Sequence, residues 1–172
     1  MMPLLSDMFK YFIKIYFIFS YRFTSSLAMP CLLLHDKFEE ISEWAEYISV
    51  ILESNLIDVC CIYNMRGRVL AQSPEGAEED NCLQDGEAAH MIEALADPQN
   101  PRYTSLNLFG HHYNVVINDG KHGILLKSGI RYATICRTSK VLIVGLHKVN
   151  SDKDDGSSVI MNLGDFLITK GM

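Results

Sequence analysis

The residues able to do chemistry are few, and their spacing keeps most of them apart. His111 and His112 are adjacent, so on a strand their side chains leave opposite faces. His90 falls in a helical stretch with no acidic or histidine partner four residues on. Metal ions need convergent ligand sets, so no metal ligand and no cofactor is expected. A cysteine nucleophile needs an electropositive setting. Cys136, beside Arg137, is the one candidate, and a buried strand thiol is the plainer account of it. No Gly-x-Ser-x-Gly, phosphate loop or dinucleotide fingerprint occurs. The expectation is a binding module with no catalytic residues, not an enzyme.

For binding chemistry the informative pair is Trp44, the sole tryptophan, and Tyr47 three positions later. At that spacing two helical residues are surface neighbours. Paired amphipathic rings offer apolar area at little entropic cost and suit a docking platform. Two rings packed into the core would give the same pattern.

The elements that must position these residues follow from periodicity. Asp36 and Glu39 stand in capping-box spacing, and Phe38, Ile41, Ala45, Ile48 and Leu52 then form a helical stripe. Trp44, Tyr47 and Ile51 fall on its flank, and Asn55 closes the helix. Ile57–Tyr63 and Arg68–Gln72 read as strands joined by the turn Asn64-Met65-Arg66-Gly67. Ser73–Gln84 is an acidic loop. A helix opens at Asp85-Gly86-Glu87 and stops at Asp97-Pro98. Five short strands follow: Ser105–Phe109, His112–Asn118, Gly123–Lys127, Tyr132–Arg137 and Val141–His147, an antiparallel meander. Val149–Gly156 reads as a charged loop with Asp155-Gly156-Ser157 as a helix start, and Ser158–Lys170 as a last helix capped by Gly171. The order is that of an α+β domain: a central antiparallel sheet with helices on its faces.

Composition agrees. The chain has 172 residues, 48% apolar and 21% charged, the profile of one globular domain with an appendage. Its net charge of −6 argues against nucleic acid, which demands a concentrated basic surface. Five cysteines without regular spacing read as free thiols in a reducing compartment. The adjacent Cys60 and Cys61 point to opposite faces of a strand and cannot chelate together. Residues 1–35 stand apart from the domain at 36–172. Their longest uncharged run, Ile15–Tyr21, is too short to span a bilayer. Three readings stay open. The segment is a secretory leader, with Lys10 and Lys14 before Ile15–Phe19 and small Ser26 and Ala28; or a membrane-surface segment; or an unpacked extension, a gene-model artefact if translation starts at Met29.

Several short stretches, in order and at nearly matched spacing, resemble the profilins, a family of small actin-binding proteins. Trp44-Ala-Glu-Tyr47 resembles the Trp-x-x-Tyr of their first helix. Arg68-Val-Leu-Ala-Gln-Ser73 is similar to the Val-Trp-Ala-Gln-Ser of plant-type members. Leu95-Ala-Asp-Pro-Gln99 and Val141-Leu-Ile-Val-Gly145 also have counterparts. The closing Asn162-Leu-Gly-Asp-Phe-Leu-Ile-Thr-Lys-Gly-Met172 resembles Leu-Gly-Asp-Tyr-Leu-Ile-Asp-Gln-Gly-Leu and is the most specific. The resemblance covers about residues 42–172.

The resemblance implies a profilin-like sheet between helices, with the first and last helices side by side on one face. It implies a groove for proline-rich peptides, carried over to Trp44, Tyr47, Leu70, Phe166, Leu167 and Met172. Such a groove uses a polyproline II helix that is already ordered. Leu70 stands where the family usually has tryptophan, Phe166 lacks a tyrosine hydroxyl and Met172 is aliphatic, so weak proline-peptide binding is expected. It further implies one-to-one binding of monomeric actin, promotion of nucleotide exchange on actin, and a cytoplasmic, cytoskeletal location. The actin face carried over is Lys121, Lys127, Arg131, Arg137, Ser158 and Asn162. Plant-type members place several basic residues, linked to phosphoinositides, where Leu125–Gly129 keeps only Lys127. Poor phosphoinositide binding is therefore expected. Two other readings stay open: a scaffold or sensor of this fold that has lost actin binding, with or without export by its leader, and a small-molecule-binding α+β domain.

Overall fold

The computed structural model describes residues 35–73 and 83–172, and of residues 35–43 the backbone helix only. The readings of residues 1–34, of the capping box at Asp36 and Glu39, of most of the acidic loop, and of Cys31 and Cys82 lie outside what is described. Ile41–Met172 forms one compact unit.

The elements are α1 (His35–Glu53), β1 (Ile57–Asn64), β2 (Val69–Ser73), α2 (Glu87–Ala96), a short 3-10 turn (Pro101–Tyr103), β3 (Ser105–Leu108), β4 (His111–Asn118), β5 (Gly123–Ser128), β6 (Arg131–Arg137), β7 (Val141–His147) and α3 (Lys153–Thr169). The seven strands form one sheet in the order β2-β1-β7-β6-β5-β4-β3, with every pairing antiparallel. This is the α+β architecture expected from the sequence.

Helices cover both faces, which is why the middle strands read as unbroken apolar runs. All of Val141–Gly145 is buried, whereas most residues of the outer strand β4 are exposed. On one face, Cys61, Tyr63, Leu142, Val144, Ile135 and Leu126 pack with Ala88, Met91, Ala94 and Leu95 of α2. The other face carries α3. Gly164 of α3 sits directly on Cys136, and Met161 covers Gly123. Tyr47 of α1 meets Phe166 of α3, so the first and last helices are neighbours. Cys60 pairs with Gly145 and Cys61 with Val144, which sends the two thiols to opposite faces as expected.

Two sequence expectations require correction. The buried face of α1 is rotated: Trp44, Tyr47, Ile48 and Ile51 are buried, whereas Ala45 is exposed and Leu52 only half-buried. The large rings occupy the interior and the small alanine is left to solvent, which removes more apolar area from water. The last helix starts at Lys153, five residues before the expected Ser158. Asp152 caps it by accepting the N–H groups of Asp154 and Asp155, and those two acids complement the helix dipole. Gly156 resembles a helix breaker but lies inside the helix. A Cβ there would approach Nδ1 of His147 to 2.6 Å, so glycine is required by packing rather than by a turn.

The β3–β4 connection has the expected two residues but sits one position earlier, at Phe109 and Gly110. Both have positive φ, 55° and 74°, as such tight hairpins require. For a phenylalanine this conformation is strained. The buried carboxylate of Glu87 faces the turn, accepting the N–H of Phe109 at 3.0 Å and of Gly110 at 2.9 Å. It also accepts the N–H of Gln84 at 2.9 Å, at the entrance of α2.

Candidate groove and protein-binding face

The groove positions are delivered by three elements. Trp44 and Tyr47 come from α1, with ring centroids 5.7 Å apart and planes tilted by 49°. Tyr47 in turn lies 6.2 Å from Phe166, tilted by 59°. Such tilted arrangements are the favoured ones for aromatic pairs. Lys170 holds its ammonium 5.5 Å above the Phe166 ring. The end of α3 closes as a Schellman motif: Gly171 N–H donates to Ile168 and Met172 N–H to Leu167, with Gly171 at φ 79°. That motif sets the place of the half-buried Met172. Leu167 is fully buried and contributes to packing rather than to a lining. Leu70 is half-buried on the edge strand β2, where a register shift opposite Ile62 and Tyr63 leaves it without a ladder partner.

Trp44 and Tyr47 are only 6% and 3% exposed. The indole N–H of Trp44 is buried and has no hydrogen-bond partner. A buried donor left unpaired costs about 1–3 kcal/mol, so this nitrogen would gain from any carbonyl brought to it.

The six positions of the expected second face separate into groups. Arg131 and Arg137 share strand parity with Ala133 and Ile135, which belong to the α2 side of the sheet. Lys127 lies on the opposite side, its ammonium 5.2 Å over the Tyr132 ring. It is four residues along β5 from Gly123, about 13 Å at strand rise. Lys121 is exposed in the β4–β5 turn. Ser158 and Asn162 lie on α3 and line a cleft of about 310 Å³ together with Ile117, Asp119, Leu125 and Met161. Ser158, Asn162 and the turn bearing Lys121 thus come together; Arg131 and Arg137 do not join them through their strand faces.

Sequence reasoning missed the groups around this cleft. Asp119 takes the N–H groups of Lys121, His122 and Gly123 on one oxygen, at 2.7, 2.9 and 2.9 Å. Burial pushes its carboxyl up, but these backbone bonds and the neighbouring His122 outweigh that and hold it below the usual range. The turn residues Asp119-Gly120 signalled the bend but not this cradle. Deeper in, Thr134 Oγ1 lies 2.8 Å from His147 Nε2 and 2.9 Å from Ser157 Oγ. Burial lowers the His147 pKa to about 4, so the imidazole is neutral near neutral pH. Burial, with Asp165 and Asp119 adding to it, raises Cys136 to about 12. Its thiol is therefore protonated and inert, as its alternative reading held. Among the described residues no group of His, Cys, Asp and Glu is arranged to hold a metal, and no helix is long and apolar enough to cross a membrane.

Comparison with known proteins places this architecture. The sequence profile of the profilin family matches residues 42–172, and the chain belongs to the profilin family. Among solved structures, profilin IB of Acanthamoeba castellanii superposes with a TM-score of 0.63 at 20% identity, over 75% of this chain and 99% of that one. The Schizosaccharomyces pombe profilin gives a TM-score of 0.65 at 19% identity, over 75% and 99%. LokiProfilin2, solved in complex with rabbit actin, gives 0.60 at 16% identity, over 74% and 96%. At these identities the structural likeness speaks for the fold.

Proposed function

We propose that this chain binds monomeric actin one-to-one and so regulates filament assembly in the cytoplasm, as a non-catalytic protein. The observation that carries this reading is the family match across residues 42–172. A structural neighbour solved together with actin lends support. Occupying one end of the monomer blocks addition there, and exchange of the bound nucleotide is promoted. Ser158, Asn162 and Lys121 around the cleft are the contact residues of first choice. Lys127, Arg131 and Arg137 lie away from the cleft and are contact residues of second choice. Pyrene-actin assembly with the full chain tests this: assembly should slow, and assembly unchanged at high micromolar protein would refute the reading.

The same protein docks proline-rich partners weakly. The cluster of Trp44, Tyr47 and Phe166 and the unpaired indole N–H support a site for a peptide carbonyl. The burial of two rings and the leucine at position 70 support weak rather than ordinary affinity. Titration with a proline decamer, followed by Trp44 fluorescence, should show affinity below that of an ordinary profilin; equal affinity would sink this part. Phosphoinositide binding is weak for want of clustered positive charge, since Lys127 stands alone between Leu125 and Gly129.

A further inference from the structure

One histidine between two carboxylates joins the β4–β5 turn to α3. Nε2 of His122 lies 3.1 Å from Oδ1 of Asp165 on α3, and Nδ1 lies 3.8 Å from Oδ2 of Asp119. The backbone cradle of Asp119 keeps that carboxylate fixed in place. The N–H of Arg137 donates to the carbonyl of His122 at 2.7 Å, which pins the turn to β6. The charged and titratable groups near the ring are Asp119 and Lys121 from the turn, Asp165 from α3 and Cys136 from β6, while Arg137 follows the strand parity of the α2 side. Cys136 is buried and protonated, and Lys121 is exposed.

The two charge states of the ring differ in what they can hold. A neutral imidazole has one N–H and can serve one of the two carboxylates. An imidazolium has two N–H groups and a positive charge, so it can donate to Asp165 and attract the Asp119 carboxylate 3.8 Å away. Histidine is the side chain that changes charge between pH 5 and 8.

We propose that His122 is a proton-operated clasp between the β4–β5 turn and α3, closed when its ring is charged, and that it sets the pH response of the surface formed by Lys121, Ser158 and Asn162. Lys121 adjoins His122 in sequence, and Asn162 precedes Asp165 by three positions on α3, one helical neighbour away. Closing the clasp therefore fixes the two halves of that surface relative to each other before a partner arrives. Surfaces ordered beforehand bind more tightly, because less freedom is lost on association. Acidification strengthens binding. The clasp itself stands on geometry alone; its effect on actin rests on the function proposed above.

The test uses the full chain with Asp165→Asn and His122→Gln, conservative changes at a largely exposed and a partly exposed position. In the first arm, the His122 ring signal and the backbone amides are followed by NMR from pH 5.5 to 8 without actin. The amides of Lys121 and Asn162 should move together with the ring signal in the parent and cease to follow it in Asp165→Asn. In the second arm, monomeric-actin affinity is measured for the parent and each variant at every pH, and the ratio cancels actin's own pH response. The parent's advantage should grow about two- to fivefold between pH 8 and pH 6, the size of a partly exposed ion pair. Amides that stay still while His122 titrates, or an affinity ratio constant across this range, would overturn the clasp. Absence of actin binding in all three proteins would overturn the proposed function, and the first arm would then decide the clasp alone.

Discussion

The carboxylate of Glu87 lies 3.0 Å from the backbone N–H of Phe109, and through that bond a helix start supports a strained turn. A left-handed phenylalanine costs of the order of 1 kcal/mol or more, and its two turn N–H groups both end on this one side chain. Glu87→Gln exchanges an acceptor for a donor and leaves at least one buried N–H unpaired. The expected loss is about 1–3 kcal/mol, with Glu87→Ala larger because three N–H groups lose their partner. Urea denaturation of the parent and both variants measures it. Equal midpoints would show that the turn stands without the carboxylate.

Stability should fall on mild acidification because of His147. Its ring is buried beside Gly156 and Thr134, and burial lowers its pKa to about 4 from the usual 6.5. Above about pH 6.5 the ring is neutral whether folded or unfolded, and no penalty arises. Between about 6.5 and 4 the unfolded chain takes up a proton that the native state refuses, so stability declines as pH falls, by at most about 1.4 kcal/mol per unit from this group. Denaturation midpoints from pH 8 to 4 should drop more steeply for the parent than for His147→Gln. Parallel curves would remove His147 as the cause.

Gly164 is a packing residue. A Cβ there would collide with Sγ of Cys136, in the interior of the sheet–helix contact. On an isolated helix, glycine to alanine would stabilise by about 1 kcal/mol. Here Gly164→Ala should instead destabilise by about 1–3 kcal/mol, as overpacking does. Removing the sulfur by Cys136→Ala should rescue a large part of that loss. A double-mutant cycle in urea gives the coupling, and additive effects would mean that the two residues do not meet.

Leu70 carries the functional counterpart of this reasoning. A ring in its place on β2 would supply the aromatic that the family resemblance implies at this position of the proposed groove. Leu70→Trp should raise proline-decamer affinity by about two- to tenfold, the range of one added aromatic contact. Isothermal titration reads this directly, without Trp44 as sole reporter. No gain would place Leu70, at its register shift, outside the groove.

The strands were legible because β-branched runs broken by Gly, Asn and Asp have one simple reading, and Val141–Gly145 declared a strand covered on both sides. The true α3 start was hidden because Asp155-Gly156-Ser157 reads as the turn into the helix until His147 is placed against Gly156. The rotation of α1 was equally hidden, since Ala45 and Trp44 both fit an apolar face and only tertiary packing ranks them. In the candidate site, Trp44, Tyr47 and Phe166 were readable as a set. His122 with Asp165, and Thr134 with His147, were not, because each pair joins different elements at separations that carry no periodic signal.

The sheet order has a consequence for the time course of folding. Strands β3 to β7 each pair with the next along the chain, whereas β1 pairs with β7, joining Asn64 to Val141 across about 77 positions. Closing so long a loop costs entropy before any contact repays it. The meander should therefore supply the nucleus, and the β1–β2 hairpin should dock after the rate-limiting step. In stopped-flow kinetics, Ile135→Val should chiefly slow folding and Ile62→Val should chiefly speed unfolding. Such a protein opens first at the edge where β1 meets β7, and the strand bearing Leu70 leaves with it.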